Sequence, residues 1–213
     1  KPMSKRFSQL RVCVAAAALF AGAAASHAVV ISSSSSNPYS FSWSYNTPTV
    51  TPHVLSGTGA MTISGFNSSV LTVSISLSNT SLIGGQGGER LTSFGFGIEP
   101  NASWALFVDN PLDGGLVGAG LGRSIPSLQG VEVCAFSGNN CAGGGNGGIR
   151  GGSSDSFAIL LGGNWGSSVN IEPIGFKYQT GYGSFEFTTS TSSGNTPEPS
   201  TASLALLGLG LLG

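Results

Sequence analysis

The sequence predicts an all-β protein with a single antiparallel β-sandwich of the jelly-roll or immunoglobulin-like kind. Two observations carry this prediction. Short segments alternate apolar and polar residues with a period of two, and clusters of Gly, Asn, Pro and Ser separate them at near-regular spacing. No window between residues 29 and 195 shows an amphipathic, capped helix pattern. A closed barrel gives the same pattern, so both architectures stay open at this stage.

The clearest strand is residues 71–77, where Leu, Val and Ile alternate with Ser and Thr. Residues 57–66 are predicted as its hairpin partner, with a turn at 65–69 between them. Residues 41–45 repeat the alternation with Phe, Trp and Tyr, which predicts that Trp43 faces the core. Further strands are predicted at residues 91–98, 104–109, 130–136, 156–161, 174–179 and 184–189.

The composition bounds the class of protein. The 213 residues suit one domain with appendages, and 40% are hydrophobic while only 8% are charged. Between residues 29 and 196, four Lys or Arg oppose eight Asp or Glu, and 4 − 8 gives a charge of −4. Because the four cations are scattered rather than clustered, the sequence argues against nucleic-acid binding.

Residues 1–28 have the three parts of a secretory signal peptide. Lys and Arg occupy positions 5, 6 and 11, an apolar run of 14 residues follows at 12–25, and Ser-His-Ala at 26–28 forms a cleavage site. Met3 is the expected start. The alternative is an uncleaved anchor helix, but the run is short for a span that needs about 20 apolar residues. Signal peptidase is therefore a predicted partner.

Export places two cysteines in an oxidising compartment, since Cys13 leaves with the signal peptide. Cys134 and Cys141 have six residues between them, of which Ser-Gly-Asn-Asn is typical of a turn. The prediction is a disulfide that staples a hairpin. The alternative is a metal pair. A zinc site needs three or four N or S ligands, and the mature chain adds only His53.

The sequence offers few combinations of residues suited to catalysis, and we expect no catalytic residues, no cofactor and no metal. His53 is the single histidine after the signal peptide, and no G-x-S-x-G elbow accompanies it. Glu99, Asp109, Asp113 and Glu132 suit a glycoside hydrolase by residue type alone. A structural calcium at residues 109–115 (DNPLDGG) is a second alternative, against the ordinary use of these residues in turns.

Three Gly-rich or long loops, at 79–90, 109–130 and 142–154, interrupt the strands. The last of them lacks the Gly-Lys-Ser/Thr and helix of a phosphate loop, and a flexible connector is expected there. Trp104 heads an apolar strand and is predicted to be core. Trp165, in GGNWGSS, lies in a polar turn and is the predicted exposed residue for contact with a glycan.

The sequence ends TPEPSTASLALLGLGLLG, with Pro197, Glu198 and Pro199 before the apolar residues 202–213. This segment resembles the PEP-CTERM sorting signal of Gram-negative bacterial surface proteins: a Pro-Glu-Pro motif, one transmembrane helix and a basic cluster. The resemblance implies processing by exosortase, a membrane contact through the C-terminal segment, and association with exopolysaccharide and biofilm matrix. The 12 apolar residues span about 18 Å of a membrane core about 30 Å thick, so a truncated apolar helix is expected.

The segments LTSFGFGIEPNAS, VEVCAFSGNNCAGGGNGGI and YGSFEFTT resemble a PEP-CTERM subgroup called the cistern family, which shares the close Cys pair. The predicted organisation is a signal helix at 1–28, an ectodomain at 29–190, a linker at 191–196 and the sorting segment at 197–213. The predicted function is non-enzymatic: a structural protein of the bacterial surface or its matrix. The alternative is a carbohydrate-binding module that uses Trp165 and the long loops.

Overall fold

The computed structural model describes residues 29–32, 38–49, 52–81, 88–109, 114–122, 125–142 and 147–189. Within these ranges the regular secondary structure consists of twelve β-strands and no helix. In chain order they are β1 (Val29–Ser32), β2 (Tyr39–Asn46), β3 (Val54–Phe66), β4 (Val70–Asn79), β5 (Arg90–Glu99), β6 (Trp104–Asp109), β7 (Gly118–Leu121), β8 (Val133–Phe136), β9 (Ile149–Arg150), β10 (Ser153–Gly162), β11 (Ser168–Thr180) and β12 (Gly183–Thr189).

The strands form two antiparallel sheets that pack against each other. One sheet has five strands in the order β2-β3-β4-β10-β6. The other has seven, with the path β1-β11-β5-β8-β7, β12 beside β11 and β9 beside β5. This confirms the all-β class and agrees with a sandwich, while the finer jelly-roll or immunoglobulin-like connectivity stays a prediction. The predicted signal helix and C-terminal helix lie outside the described residues.

The predicted strands are all present, and most extend a few residues further than the sequence indicated. The β3–β4 hairpin has its turn where expected, because the Asn67 side-chain oxygen accepts hydrogen bonds from the backbone N–H groups of Ser69 and Val70 at 2.9 and 2.8 Å. Three strands were not predicted: β1, β7 and β9. Each has four residues or fewer and is stabilised by pairing with a distant partner rather than by its own alternation.

Aromatic side chains join the two sheets across the main core. The Trp43 and Phe176 ring centroids are 4.3 Å apart, and those of Tyr45 and Phe187 are 4.4 Å apart. Phe41 stacks on Phe94 in the same layer. The burial of Trp43, which is 4% exposed, confirms its predicted inward orientation. Such ring pairs add roughly 0.5–1.5 kcal/mol each to the free energy of burial.

A buried polar network crosses the same core. Tyr178 accepts a hydrogen bond from the Trp43 indole N–H at 2.9 Å and donates to the Asn79 side-chain oxygen at 3.2 Å. The Asn79 amide donates in turn to the backbone carbonyls of Ile149 and Glu89. Burial raises the pKa of the Tyr178 hydroxyl to about 12, against the opposing hydrogen bonds from Ser81 and Trp43. This network holds the short strand β9 in place.

The seven-stranded sheet is covered on its outer side by a second, smaller core. Its buried members are Ile125, Val131, Cys134 and Cys141. Gly95 and Gly175 lie opposite each other in the sheet beneath it, and a Cβ on either would collide with Val131. The loop expected at 109–130 is therefore partly structured, since it contains β7 and this covering segment.

An ion pair fastens the covering segment to the sheet. Lys177 on β11 contacts Glu186 on β12, and the Glu186 carboxylate also accepts a hydrogen bond from the Ser127 backbone N–H at 2.8 Å. Burial acts to raise the pKa of Glu186, but the hydrogen bonds from Lys177 and Ser127 outweigh it and hold the pKa below its usual value.

Candidate functional site

Among the described residues, a second core covers the outer side of the seven-stranded sheet, and none of its members lies on the outer side of the five-stranded sheet. In β2 and β4 the alternation places apolar residues toward the core and mainly hydroxyl residues outward. Outward positions are Ser40, Ser42 and Ser44 on β2, and Thr72, Ser74 and Ser76 on β4. We call this outer surface, from β2 across to β6, the hydroxyl face.

The hydroxyl face carries no charged side chain on its five described strands. These strands contain two charged residues, Asp109 and Asp155. Both lie at inward positions, where Asp109 pairs with Phe157 and Asp155 pairs with Leu77. Asp155 is 3% exposed and accepts a hydrogen bond from the Leu116 backbone N–H at 2.8 Å. A surface with hydroxyls and no charges interacts by neutral hydrogen bonds and by apolar contact.

The edge strand β6 adds an apolar strip to this face. Trp104, Leu106 and Val108 are 45%, 54% and 47% exposed. The prediction that Trp104 belongs to the core is therefore wrong. Both faces of WALFVD are apolar, and the structure turns Ala105 and Phe107 inward, so the Trp side faces solvent.

The Trp104 indole lies over the backbone of its cross-strand neighbour. Trp104 pairs with Gly162 on β10, and a Cβ added to Gly162 would overlap the indole ring at its Nε1 edge. Because Gly162 has no side chain, the Trp104 ring can pack directly against the sheet backbone at this position. The sequence signal for this site was the Gly at the end of an otherwise apolar strand, which marks a close approach by another group.

Trp165 is buried, so the prediction that it is exposed is wrong. Its side chain is 1% exposed and belongs to the main core. The ring occupies the space beside Gly163, where a Cβ would collide with it. The flanking Gly and Asn residues are in the loop between β10 and β11, while the indole packs in the main core.

The structure confirms the predicted disulfide between Cys134 and Cys141, whose Cα atoms are 6.1 Å apart. From the sequence we expected the bridge to close a hairpin, and this expectation is wrong. β8 and β9 both pair with the same edge of β5, one after the other. The disulfide connects the segment that follows β8 to β8 itself. The predicted connector at 142–154 accordingly contains β9 and the start of β10.

The carboxylates named by residue type occupy separate parts of the fold. Glu99 ends β5 in one sheet, Asp109 ends β6 in the other, and Glu132 precedes β8. Asp113 lies outside the described residues, so the calcium alternative stays a prediction. Across the described ranges, no three His, Cys, Asp or Glu side chains come close enough to hold a metal ion. His53 stacks on Tyr182, with ring centroids 4.5 Å apart.

Comparison with known families concerns the end of the chain. Residues 195–213 match the PEP-CTERM protein-sorting motif. The chain carries a PEP-CTERM sorting motif. Pro197, Glu198 and Pro199 lie within the match and outside the described residues. No curated protein and no solved structure matches the chain.

The PEP-CTERM motif indicates an exported, cell-surface protein that exosortase processes and that associates with the membrane. In the part of the chain that the structure describes, no helix has the length and apolar character needed to span a bilayer. Membership of the cistern subgroup stays a prediction.

Proposed function

We propose that this chain is a non-enzymatic structural protein of a Gram-negative cell surface or its extracellular matrix, sorted there by exosortase. The observation that carries the proposal is the PEP-CTERM motif at residues 195–213. The N-terminal pattern of a basic segment, an apolar run and small residues at 26–28 supports it from the other end of the sequence. The boundaries at 1–28, 29–190, 191–196 and 197–213 are part of this proposal.

The structural role is supported by the distribution of polar groups in the ectodomain. The charged residues that are buried take part in holding the fold together, as Asp155 does at Leu116 and as Lys177 does with Glu186. The disulfide suits an oxidising compartment outside the cytoplasm. The hydroxyl face offers a hydrated, uncharged surface next to exopolysaccharide.

The alternative of a carbohydrate-binding module built on Trp165 loses its main residue, because that ring is packed in the core. A different residue, Trp104, has the exposure that the alternative requires.

The sorting part of the proposal is tested by fusing residues 190–213 to the C-terminus of a secreted reporter. The fusion is expressed in a host with exosortase and in the same host lacking it. We expect a shortened, surface-associated reporter only where exosortase is present. Replacing residues 197–199 with Ala should abolish the difference, and equal processing in the two hosts would refute the proposal.

A further inference from the structure

We propose that the hydroxyl face binds a neutral polysaccharide, with Trp104 as the platform on which a sugar ring stacks. This goes beyond the proposed function by naming a binding site and the chemical class of its ligand. It depends on the proposed surface location only for access to the ligand, and its test uses purified protein.

The geometry of Trp104 is the first argument. The indole lies over Gly162, so the sheet backbone covers one side of the ring, while the side chain is 45% exposed. A ring seated on a rigid sheet keeps its position without losing further rotamer freedom when it binds. Its electron-rich face suits the C–H groups on one side of a pyranose ring.

The hydroxyl rows provide the second argument. Thr72 and Ser74 lie on β4, two strands from β6, which is about 10 Å at the usual strand spacing. Beyond them, β3 and β2 continue the face with Thr58, Thr62 and Ser42. Hydroxyl groups both donate and accept, so these rows can exchange hydrogen bonds with the hydroxyls of a chain that leads away from Trp104.

The lack of charge selects the kind of polysaccharide. An acidic polysaccharide needs cations to compensate its carboxylates, and the described strands present none at outward positions of this face. Binding through stacking and neutral hydrogen bonds should not weaken as salt rises, because salt screens charges.

The same composition disfavours a second copy of the chain as the occupant. The cores of protein interfaces are enriched in aromatic residues, Met and Arg and are depleted in Ser. On the hydroxyl face four large apolar side chains gather at one edge, those of Trp104, Leu106, Val108 and Leu160, while Val54 on β3 and Val70 on β4 lie apart from one another on the rest of it. The remaining outward positions are mainly Ser and Thr, which a sugar chain can use for hydrogen bonds.

The test measures retention of the purified full-length chain on cellulose, on a β-1,3-glucan and on dextran, with polygalacturonate as the acidic comparison. We expect binding to at least one neutral polymer, unchanged between low and high salt. Trp104→Ala should weaken it by about tenfold or more, the loss of one stacking contact. Tyr182→Ala is the matched control, because Tyr182 is an exposed aromatic residue, 61% accessible, on the β11–β12 turn.

Gly162→Ala is the second variant. It keeps the Trp104 side chain, but the added Cβ occupies the space in which the indole ring packs. It should weaken binding as Trp104→Ala does, while far-UV circular dichroism stays that of the unaltered chain. No retention on any neutral polymer, retention only on polygalacturonate, or equal retention of the Trp104 variant would overturn the proposal. A dimer in light scattering that Trp104→Ala converts to monomer, without polymer binding, would assign the face to a second copy instead.

Discussion

The Trp43 indole N–H donates to the Tyr178 hydroxyl at 2.9 Å, and this bond joins the two sheets through the core. Trp43 comes from β2 at the edge of the five-stranded sheet, and Tyr178 comes from β11 within the seven-stranded sheet. The rings around them are apolar, so each polar atom must find its partner inside the protein. The packing of the sandwich therefore depends on a buried polar network as well as on its aromatic layer.

Replacing Tyr178 with Phe should destabilise the fold by about 1–3 kcal/mol, because the buried Trp43 N–H loses its acceptor and the Asn79 side-chain oxygen keeps only the hydrogen bond from the Ser81 backbone N–H. Urea unfolding measures the change. Ser42→Ala, on the hydroxyl face, is the control and should shift the unfolding free energy by less than about 0.5 kcal/mol. Equal stability of the Phe variant and the unaltered chain would contradict the network.

The same residue predicts a pH dependence. The folded-state pKa of Tyr178 is about 12 and the ordinary value is 10.0, so the folded state keeps a proton that the unfolded state loses first. The contribution of Tyr178 is fully present below pH 10 and is lost as pH rises toward 12. The difference in unfolding free energy between the unaltered chain and Tyr178→Phe should narrow over this window. A constant difference would show that the hydroxyl is not held in its neutral form.

A Gly pair in the seven-stranded sheet makes a second stability prediction. Gly95→Ala should destabilise by about 1–3 kcal/mol, because its Cβ meets Val131 and the backbone of Val133. Gly181→Ala is the matched control, since a Cβ there meets nothing within 4 Å. Thermal unfolding compares the two variants. A destabilised Gly181 variant beside an unaffected Gly95 variant would contradict the packing of the second core.

The disulfide predicts a loss on reduction. Cys134 and Cys141 are seven positions apart, and opening so small a loop removes about 2–3 kcal/mol on the chain-entropy account. The melting temperature should therefore fall when dithiothreitol is added, whereas a Cys134→Ala, Cys141→Ala double variant should give one melting temperature in both conditions. A chain whose stability is insensitive to reductant would show that the bridge does not constrain it.

Sequence patterning predicted the strands whose alternation is long, such as β4, because burying one face of a strand requires that alternation. It missed β1, β7 and β9, because these short strands show no apolar-polar alternation of their own and form by pairing with a partner in the sheet. The exposures of Trp104 and Trp165 were both predicted wrongly. Because both faces of β6 are apolar, its sequence does not show which face is buried. The polar residues around Trp165 indicate a turn, but they do not indicate the direction of the indole ring.

Gly162 and Gly163 illustrate the physical reason for those two errors. Each Gly leaves space that one indole fills, Trp104 outside the sheet and Trp165 inside it. The sequence shows that these two positions lack a side chain. It does not show which face of the sheet each position is on, because that depends on the register of β10 with β6 and β4. The hydroxyl face is likewise visible only after five strands are placed in order.

If exosortase uses the sorting motif at residues 195–213, the protein at the cell surface should have a processed C-terminus. The intact mass of the protein recovered from the surface of an exosortase-containing host measures this directly. We expect a mature species that lacks the signal peptide and ends within or close to residues 195–213, and we expect the C-terminal cut to be absent in an exosortase deletion strain. An identical C-terminus in both strains would contradict it.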